Sequence, residues 1–433
     1  MSPVTIGLIG LFLLLLFMAF RMPIGIAMGL VGLLGLIYLR GWQQGLDMMS
    51  MVPYRTAAAY TLSTIPLFVL MGNFAFYSGV SQDLYTATRK WLGYLPGGLA
   101  MATMAGCAGF AAISGSSVAN AVTMGTVCLP EMRRYGYHPR LATGCVAAGG
   151  TLGILIPPSI GFIFYAMLTT ESISKLFIAG ILPGILLTIL FMLTIFISTR
   201  ADPTLGPRGP STSFMEKLTA IKDTWPVLIM FLIVIGGMYL GVFTPTEAAG
   251  VGAFVAFVFM LAKKGLSRQN LANSLLDTGK MAAMCFLIVT GANIFSYFIA
   301  FTRVPVVLAN LVVGLHVPSL LIFALILVIY LFLGCVMDTI AMIILTVPIF
   351  YPVAMALGFD PIWFGVIIVL TMEMGLITPP VGINVFVISG VAKGVPLETI
   401  FRGIVPYLIA MIVCVAILTA FPQIATFLPS TMR

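Results

Sequence analysis

The chain has 433 residues, of which 61% are hydrophobic and only 8% are charged, and its mean hydropathy is +1.14. This composition excludes a soluble globular domain and is typical of a polytopic membrane protein embedded in a lipid bilayer. The formal net charge of +8 therefore indicates basic cytoplasmic loops, and not a nucleic-acid-binding surface. The 6 cysteines form no CxxC motif, so neither a disulfide framework nor a zinc site is expected.

The first half of the chain contains a series of apolar segments. A run of about 20 apolar residues is long enough to span a bilayer as an α-helix. Segments close to this length or somewhat shorter are separated by turns. On this basis we predict membrane helices at Ile6–Phe20, Pro23–Leu39, Ala58–Ser78, Leu141–Leu168 and Phe177–Ser198.

One further apolar segment, Gly97–Met132, is interrupted by the polar turn Ser114-Gly115-Ser116-Ser117. Each arm beside the turn has about 15 residues, which is too short to cross a bilayer as a helix. Two short apolar arms around a Gly/Ser tip predict a re-entrant hairpin near residues 97–132.

A polar linker with several prolines and glycines, Thr199–Thr224, comes before a second half that repeats the same plan. This half contains a second predicted hairpin, Pro318–Ala356, with its tip near Gly334–Asp338. Its other predicted helices are Trp225–Phe243, Thr246–Leu261, Met281–Ala300, Ile362–Gly390 and Gly403–Leu428. We therefore predict an all-α polytopic membrane protein with two repeats, residues 1–198 and 225–433, each of about five transmembrane helices and one hairpin.

Tandem prolines interrupt one apolar segment in each half, at Pro157-Pro158 and at Pro379-Pro380. Proline has no amide hydrogen, so within a helix it leaves the carbonyl four residues earlier without its donor. The carbonyls freed in this way are those of Gly153, Ile154, Gly375 and Leu376. Free carbonyls are ligands for a small hard cation. The alternative is a kink that only shapes helix packing.

The two proline motifs lie in matching sequences. GILIPPSIG, starting at Gly153, aligns with GLITPPVGI, starting at Gly375, so that the glycine, a hydrophobic pair and both prolines coincide. Broken apolar segments at matching positions of two halves indicate a transporter binding site. Chance similarity between apolar sequences is the alternative.

Charged residues predict that the two hairpins enter the membrane from opposite sides. Basic residues flank the first hairpin: Arg89, Lys90, Arg133, Arg134 and Arg140. Residues 315–317 and 358–360, beside the second hairpin, contain no lysine or arginine. By the positive-inside rule the first hairpin enters from the cytoplasm and the second from outside. Two later loops are also placed inside by Lys263, Lys264, Arg268 and Lys280, and by Lys393 and Arg402. The halves are then inverted-topology repeats, with the N-terminus outside.

Several long motifs stand out along the chain: IPLFVLMGNFAFYSGV at residues 65–80, ISGSSVANAVTMGT at 113–126, GVFTPTEAAGVGA at 241–253, GCVMDTIAMIILTVPIFYP at 334–352, LGFDPIWFGV at 357–366 and GLITPPVGINVFV at 375–387. These motifs resemble the large membrane subunit of TRAP transporters, the tripartite ATP-independent periplasmic transporters (DctM-like). They are long and specific, and the resemblance extends over nearly the whole chain.

The resemblance implies an elevator-type secondary transporter that imports small organic acids with sodium ions. The family's substrates include dicarboxylates, sialic acid, other carboxylates and sulfonates. It implies a multi-pass location in the bacterial inner membrane, a small membrane subunit as a separate chain, and a periplasmic binding protein that delivers the substrate. Because the binding protein does much of the selecting, the sequence does not name the organic acid.

The resemblance also implies two sodium sites, one in each half. The first would use Ser114 and Ser117 of the first hairpin turn, with carbonyls around Gly153, Ile156 and Pro158. The second would use Gly334, Gly375, Thr378 and Val381. The proline argument identifies Gly153 and Gly375 independently.

Polar residues near these positions are candidates for the substrate pocket: Asn120, Thr123, Asp338 and Asn384. Polar packing between helices is the alternative for the asparagines and the threonine. Asp338 either neutralises a cation or caps the second arm of its hairpin. Glu373 either faces the helix bundle or pairs with a distant arginine. Glu247 fits a carboxylate at the positive end of a helix.

Two other classes of function are considered. A membrane-embedded enzyme would need paired aspartates, a His-rich metal set or a nucleophile with a base. The sequence contains no such set, so we expect no catalytic residues. A sodium/proton exchanger is the remaining alternative, and it would work without a binding protein.

Overall fold

The computed structural model describes residues 2–209, 212–263, 265–314 and 317–432. All regular structure in these residues is helical, so the predicted all-α class is confirmed for the described part of the chain. Lys264 and residues 315 and 316, which entered the orientation argument, lie outside the described residues, as do residues 210 and 211 of the linker.

The first half contains a hairpin followed by a broken helix. The first hairpin has the arms Gly98–Ser114 and Ser117–Arg134, and the first broken helix consists of Pro139–Gly150, Leu152–Leu155 and Ile160–Thr169. The other helices of this half are Pro3–Ala19, Ile24–Arg40, Trp42–Ala57, Thr64–Tyr77, Val80–Leu92 and Ile173–Ala201, with a 3-10 turn at Tyr60–Ser63.

The second half has the same order of elements. The second hairpin has the arms Ser319–Gly334 and Thr339–Ala356, and the second broken helix consists of Pro361–Ile377 and Ile383–Val391. The helix Arg268–Thr302, called the long helix below, has 35 residues. The other helices are Phe214–Phe231, Gly237–Tyr239, Pro245–Ala262, Val304–Gly314, Leu397–Ala420 and Gln423–Ser430, with a π-helical turn at Leu232–Gly236.

Three helices of the structure are missing from the predicted set: Trp42–Ala57, Val80–Leu92 and Val304–Gly314. The first two contain charged residues along their length, so a search for long apolar runs does not detect them. The third has 11 residues and is too short to be recognised as a span. In addition, the helix that begins at Phe214 starts inside the predicted linker 199–224, because Ser213 and Glu216 form a capping box there.

Seven helices of the described chain are long and apolar enough to cross a membrane. One of them is Thr339–Ala356, an arm of the second hairpin, and the bent segment 214–239 raises the number to 8. We predicted about ten spans because shorter apolar segments were also counted. Among these, Pro3–Ala19 and Ile24–Arg40 have 17 residues each.

Helices of the two halves pack directly against each other. The helix Ile24–Arg40 runs parallel to the long helix and approaches it closely through glycines. A Cβ on Gly25 would lie 2.9 Å from Ile288 Cα, and a Cβ on Gly32 would lie 2.8 Å from Phe295 Cα. Any larger side chain at these positions would collide with the backbone of the long helix, so glycine sets the separation of the two helices.

The counterpart helix of the second half, Pro245–Ala262, packs on the first half in the same way. Thr246 Oγ1 lies 2.7 Å from Thr64 Oγ1, and a Cβ on Gly252 would lie 2.5 Å from Met71 Sδ. Both contacts join Pro245–Ala262 to the helix Thr64–Tyr77. Their order along the two helices shows that these helices run parallel.

The helix Thr64–Tyr77 and the long helix run antiparallel. A Cβ on Gly265, just before the long helix, would lie 2.6 Å from the Tyr77 carbonyl oxygen. One turn earlier in the first half, Asn73 Nδ2 donates to Thr278 Oγ1 at 2.9 Å. Because Ile24–Arg40 is parallel to the long helix and Pro245–Ala262 is parallel to Thr64–Tyr77, Ile24–Arg40 and Pro245–Ala262 also run in opposite directions. Corresponding helices of the two halves therefore run in opposite directions, as inverted-topology repeats require.

Polar contacts bring two of the basic segments together at one end of the molecule. Arg89 forms an ion pair with Glu131 at the end of the first hairpin. Arg140 Nε donates to the carbonyl of Arg402 at 3.2 Å. The first hairpin therefore ends beside the last basic loop, and the positive-inside rule predicts that this end is cytoplasmic.

Cysteine labelling tests the predicted orientation. All six native cysteines are buried, so an introduced thiol at a more exposed position reports its own side of the membrane. A membrane-impermeant maleimide should label Ala356→Cys from outside and Tyr135→Cys from the cytoplasm. Ala356 ends the second hairpin and Tyr135 follows the first, and the two hairpins are predicted to enter the membrane from opposite sides. Ala356 is preferred to Gly358, whose φ of +82° disfavours any side chain. Labelling of both positions from one side would rule out the inverted repeat.

Candidate functional site

The tip of the first hairpin lies against the break in the first broken helix. Gly115 closes the tip with φ +64°, a conformation that favours glycine, and its carbonyl accepts from Ile160 N at 3.3 Å. Ser116 caps the second arm by accepting from Ala119 N. A Cβ on Gly153 would lie 2.5 Å from the Ser116 carbonyl oxygen, so only glycine permits this contact. We call this contact the first junction.

The residues predicted for the first sodium site lie on the two sides of the first junction. Ser114 and Ser117 flank the hairpin tip, and Ile156 and Pro158 are buried in the break. The Ser114 hydroxyl is buried and has no hydrogen-bond partner among the described residues. Within the described chain no backbone amide donates to the Gly153 carbonyl, as the proline argument predicts. The hairpin thus contributes hydroxyl groups, and the broken helix carbonyl groups, to the two sides of this junction.

The second hairpin contacts the second broken helix through two glycines, and we call this contact the second junction. A Cβ on Gly375 would lie 2.5 Å from Gly334 Cα, so the two backbones touch. Thr378 ends the first part of the broken helix, and its Oγ1 donates to the Met374 carbonyl at 2.6 Å. Val381, beyond the prolines, is exposed. Three of the four residues predicted for the second sodium site thus lie at or next to the contact.

One carbonyl that we expected to be free is bonded. Thr378 N donates to the Gly375 carbonyl at 3.0 Å, so the prediction that Pro379 leaves this carbonyl without a donor is wrong. The last turn of the helix tightens to an i+3 bond, which replaces the bond that the proline cannot make. A carbonyl oxygen has a second lone pair, so Gly375 can still bind a ligand.

A buried carboxylate joins the two hairpins. Glu373, in the second broken helix, has no solvent exposure. One of its oxygens accepts from Ser117 Oγ, and the other accepts from Thr339 Oγ1 at 3.1 Å. Among the described residues it forms no ion pair, so it faces the bundle and does not pair with a distant arginine. A lone charge in an apolar helix marks this residue in the sequence, but its partners were not predicted.

Two candidate substrate residues approach the same segment of the first broken helix. Asn120 Nδ2 donates to the carbonyls of Cys107 and Gly149, both at 3.2 Å, while its Oδ1 has no partner in the described chain. Asn384 comes from the other half, and its Nδ2 lies 3.3 Å from a Cβ built on Gly150. Both amide atoms of Asn384 are buried without described partners. Each half therefore places one asparagine beside Gly149 and Gly150.

The other two candidates have different surroundings. Thr123 is buried one turn beyond Asn120, and its carbonyl accepts from Thr126 Oγ1 at 2.8 Å. Asp338 accepts from Ala341 N at 3.2 Å and caps the second arm of its hairpin. The capping alternative is therefore present for Asp338. Contact of either residue with a substrate stays a prediction.

Glu247 lies outside both junctions and has a local structural role. It accepts from Thr244 N at 2.9 Å, while Glu247 N donates to Thr244 Oγ1 at 3.4 Å, which forms a capping box. This is the helix-start role that the sequence favoured. In the described part of the chain, no group of three His, Cys, Asp or Glu side chains could hold a metal ion. The hydroxyl and carbonyl oxygens at the two junctions stay the predicted ion ligands.

A family model described as "Tripartite ATP-independent periplasmic transporter, DctM component" matches residues 11–424. The chain belongs to the DctM family of TRAP transporters. It is 39% identical, over 379 residues, to the C4-dicarboxylate TRAP transporter large permease protein DctM of Pseudomonas aeruginosa, covering 87% of this chain and 88% of that protein. It is 32% identical, over 411 residues, to the sialic acid TRAP transporter large permease protein SiaM of Vibrio cholerae, covering 94% and 95%.

The fold of this DctM-family chain is also found in a solved structure. The YdaH transporter of Alcanivorax borkumensis superimposes with a TM-score of 0.66, covering 88% of this chain and 90% of that one at 16% identity. At this identity the likeness concerns the fold alone. The resemblance to TRAP large subunits that the sequence motifs predicted is thus confirmed, and the chain is a multi-pass transporter permease.

An alanine at the second junction tests the glycine contact of this DctM-family chain. Gly375→Ala should lower the midpoint of thermal unfolding in detergent, because its Cβ would meet the Gly334 backbone and overpacking costs about 1–3 kcal/mol. Gly250→Ala is the matched control, since a Cβ there meets nothing within 4 Å. That control should leave the midpoint unchanged or raise it, because alanine favours a helix over glycine by about 0.5–1 kcal/mol. Equal midpoints for the two variants would show that the backbones do not touch.

Proposed function

We propose that this chain imports a small organic acid together with sodium ions across the bacterial inner membrane. The observation that carries the proposal is a group of buried polar atoms near the first junction that have no partner in the described chain. They are Ser114 Oγ, Asn120 Oδ1 and both amide atoms of Asn384. Buried polar atoms without partners cost free energy, so ligands that bond to them are favoured. A hard cation and a carboxylate-bearing solute have the complementary chemistry.

The first sodium ion would bind at the first junction. Ser114 and Ser117 would contribute hydroxyl oxygens, and Gly153, Ile156 and Pro158 would contribute carbonyl oxygens. Carbonyls of an unwound membrane helix are suitable sodium ligands because no helical bond consumes their lone pairs.

The second sodium ion would bind at the second junction. Gly334 and Gly375 bring the backbones of two helices close enough to share one ion. Thr378 and Val381 follow Gly375 in the break of the second broken helix. The Thr378 hydroxyl uses its proton on the Met374 carbonyl, which leaves its oxygen lone pairs for a cation. An ion here would connect the second hairpin to the second broken helix.

The organic acid would bind between the two junctions. Asn120 and Asn384 offer amide groups from both halves, with Thr123 beside them and Asp338 at the second hairpin tip. The amide nitrogen of Asn384 is the candidate donor for a carboxylate, because Asn120 Nδ2 is already bonded to two carbonyls and the free Asn120 Oδ1 can only accept. The curated relatives described above are named for a C4-dicarboxylate and for sialic acid, which supports a small organic acid as the substrate class. The binding protein would then select the particular acid.

Glu373 would make the two junctions move together. Because its carboxylate is bonded to both hairpins, filling one junction favours the arrangement that the other needs. The hairpins and broken helices would then cross the membrane as one body, in an elevator movement. A separate small membrane subunit and a periplasmic binding protein would complete the transporter.

Sodium dependence of uptake tests the ion sites. Ser114→Ala and Thr378→Val each remove a proposed hydroxyl ligand while keeping the side-chain shape. Each should raise the sodium concentration for half-maximal uptake several-fold. The assay uses liposomes that contain this chain, the small subunit and the binding protein with its bound acid. Ser296→Ala is the matched control, because its buried hydroxyl also lacks a described partner but lies in the long helix, and its sodium dependence should be unchanged.

Two results would contradict this proposal. An unchanged sodium dependence in both Ser114→Ala and Thr378→Val would show that the hydroxyls are not ligands. Robust uptake by the chain alone, without its partners and in sodium-free buffer, would favour a different class of transporter.

A further inference from the structure

A cavity of ≈ 660 Å³ lies beside the second arm of the first hairpin. Its walls include Gly125 and Thr126 of this arm, Thr143 of the first broken helix, and residues 391–395 at the end of the second broken helix. None of the residues assigned above to sodium or substrate lines it. A volume in this range is typical of small-molecule sites, so the cavity is large enough for a small organic anion.

The charged residues that line the cavity are all cationic. Arg133 and Lys393 line it, and no carboxylate does. Neither cation forms an ion pair within the described chain, whereas Arg89 and Arg402 on the same end are paired with glutamates. Unpaired charges of one sign between low-dielectric walls concentrate counter-ions. The cavity therefore attracts anions.

Along the second arm of the first hairpin, the cavity lies between two of the substrate candidates and the basic end of the molecule. Asn120 and Thr123 are buried near the tip of the first hairpin, whereas Thr126 and Arg133 are exposed further along the same arm. Positions three or four apart lie on one face of a helix. This face thus leads from the candidate substrate residues, past the cavity, to the cytoplasmic end.

We propose that the cavity is an exit subsite, in which Arg133 and Lys393 hold the acidic group of the transported solute before it enters the cytoplasm. The inference rests on the proposed function. Two exposed cations attract by charge with little selection for shape, so the subsite accepts small carboxylates and sulfonates alike. Its occupancy falls with ionic strength, because exposed charges are screened by salt.

Protection of a cysteine in the cavity tests the subsite. Thr126→Cys is reconstituted with the small subunit and alkylated from the cytoplasmic side with a neutral maleimide. At constant ionic strength, succinate and isethionate should each slow alkylation several-fold, and the uncharged succinamide should not. The protection should disappear in the double variant Arg133→Gln/Lys393→Gln. Arg134→Gln is the matched control, because Arg134 does not line the cavity, and it should keep the protection.

The outcomes separate this inference from the proposed function. Absence of protection by both anions in the parent, or unchanged protection in the double variant, would overturn the subsite. Sodium-driven uptake by the complete transporter is measured in parallel. Normal uptake without protection means that the subsite is wrong and the function stands. Protection that depends on the two cations, without uptake, means that the anion subsite stands and the transport function is wrong.

Discussion

The candidate site depends on the two hydrogen bonds that the side chain of Glu373 accepts from the two hairpins. This side chain is fully buried in the second broken helix and accepts hydrogen bonds from Ser117 of the first hairpin and Thr339 of the second. A hydrogen bond typically contributes about 0.5–1.5 kcal/mol to stability, and a buried carboxyl group without partners costs free energy. Separating the hairpin tips would remove one of these bonds, so the site requires both hairpins in place at once.

The two junctions built around this carboxylate are related but not equivalent. Pro157 and Pro158 are buried, whereas Pro379 and Pro380 are exposed. The Gly153 carbonyl has no backbone donor in the described chain, whereas the carbonyl at the corresponding position in the second half accepts from Thr378 N. The repeat explains why a hairpin tip meets a helix break twice. The different surroundings explain why the two sets of oxygens are not copies of each other.

Local chemistry made much of this architecture predictable. Tandem prolines in the interior of an apolar segment disrupt the helix because neither can donate a backbone hydrogen bond, and a Gly/Ser turn between two short apolar arms predicts a hairpin. The partners of Glu373 were not predictable, because Ser117 lies 256 residues away in sequence and their contact depends on how the halves pack. The bond that satisfies the Gly375 carbonyl depends on the chain path after the break. The helices Trp42–Ala57 and Val80–Leu92 were missed because they contain charged residues and lack a long apolar run.

The central claim is that the two junctions bind sodium in the folded protein. The most direct test is the thermal unfolding midpoint of the purified chain as sodium replaces choline at constant ionic strength. A ligand that binds only the folded state stabilises it by RT ln(1 + [L]/Kd) at each site. If both junctions bind sodium, the midpoint rises with sodium and the dependence is steeper than one site can produce. A midpoint that is the same in sodium and in choline would contradict this claim.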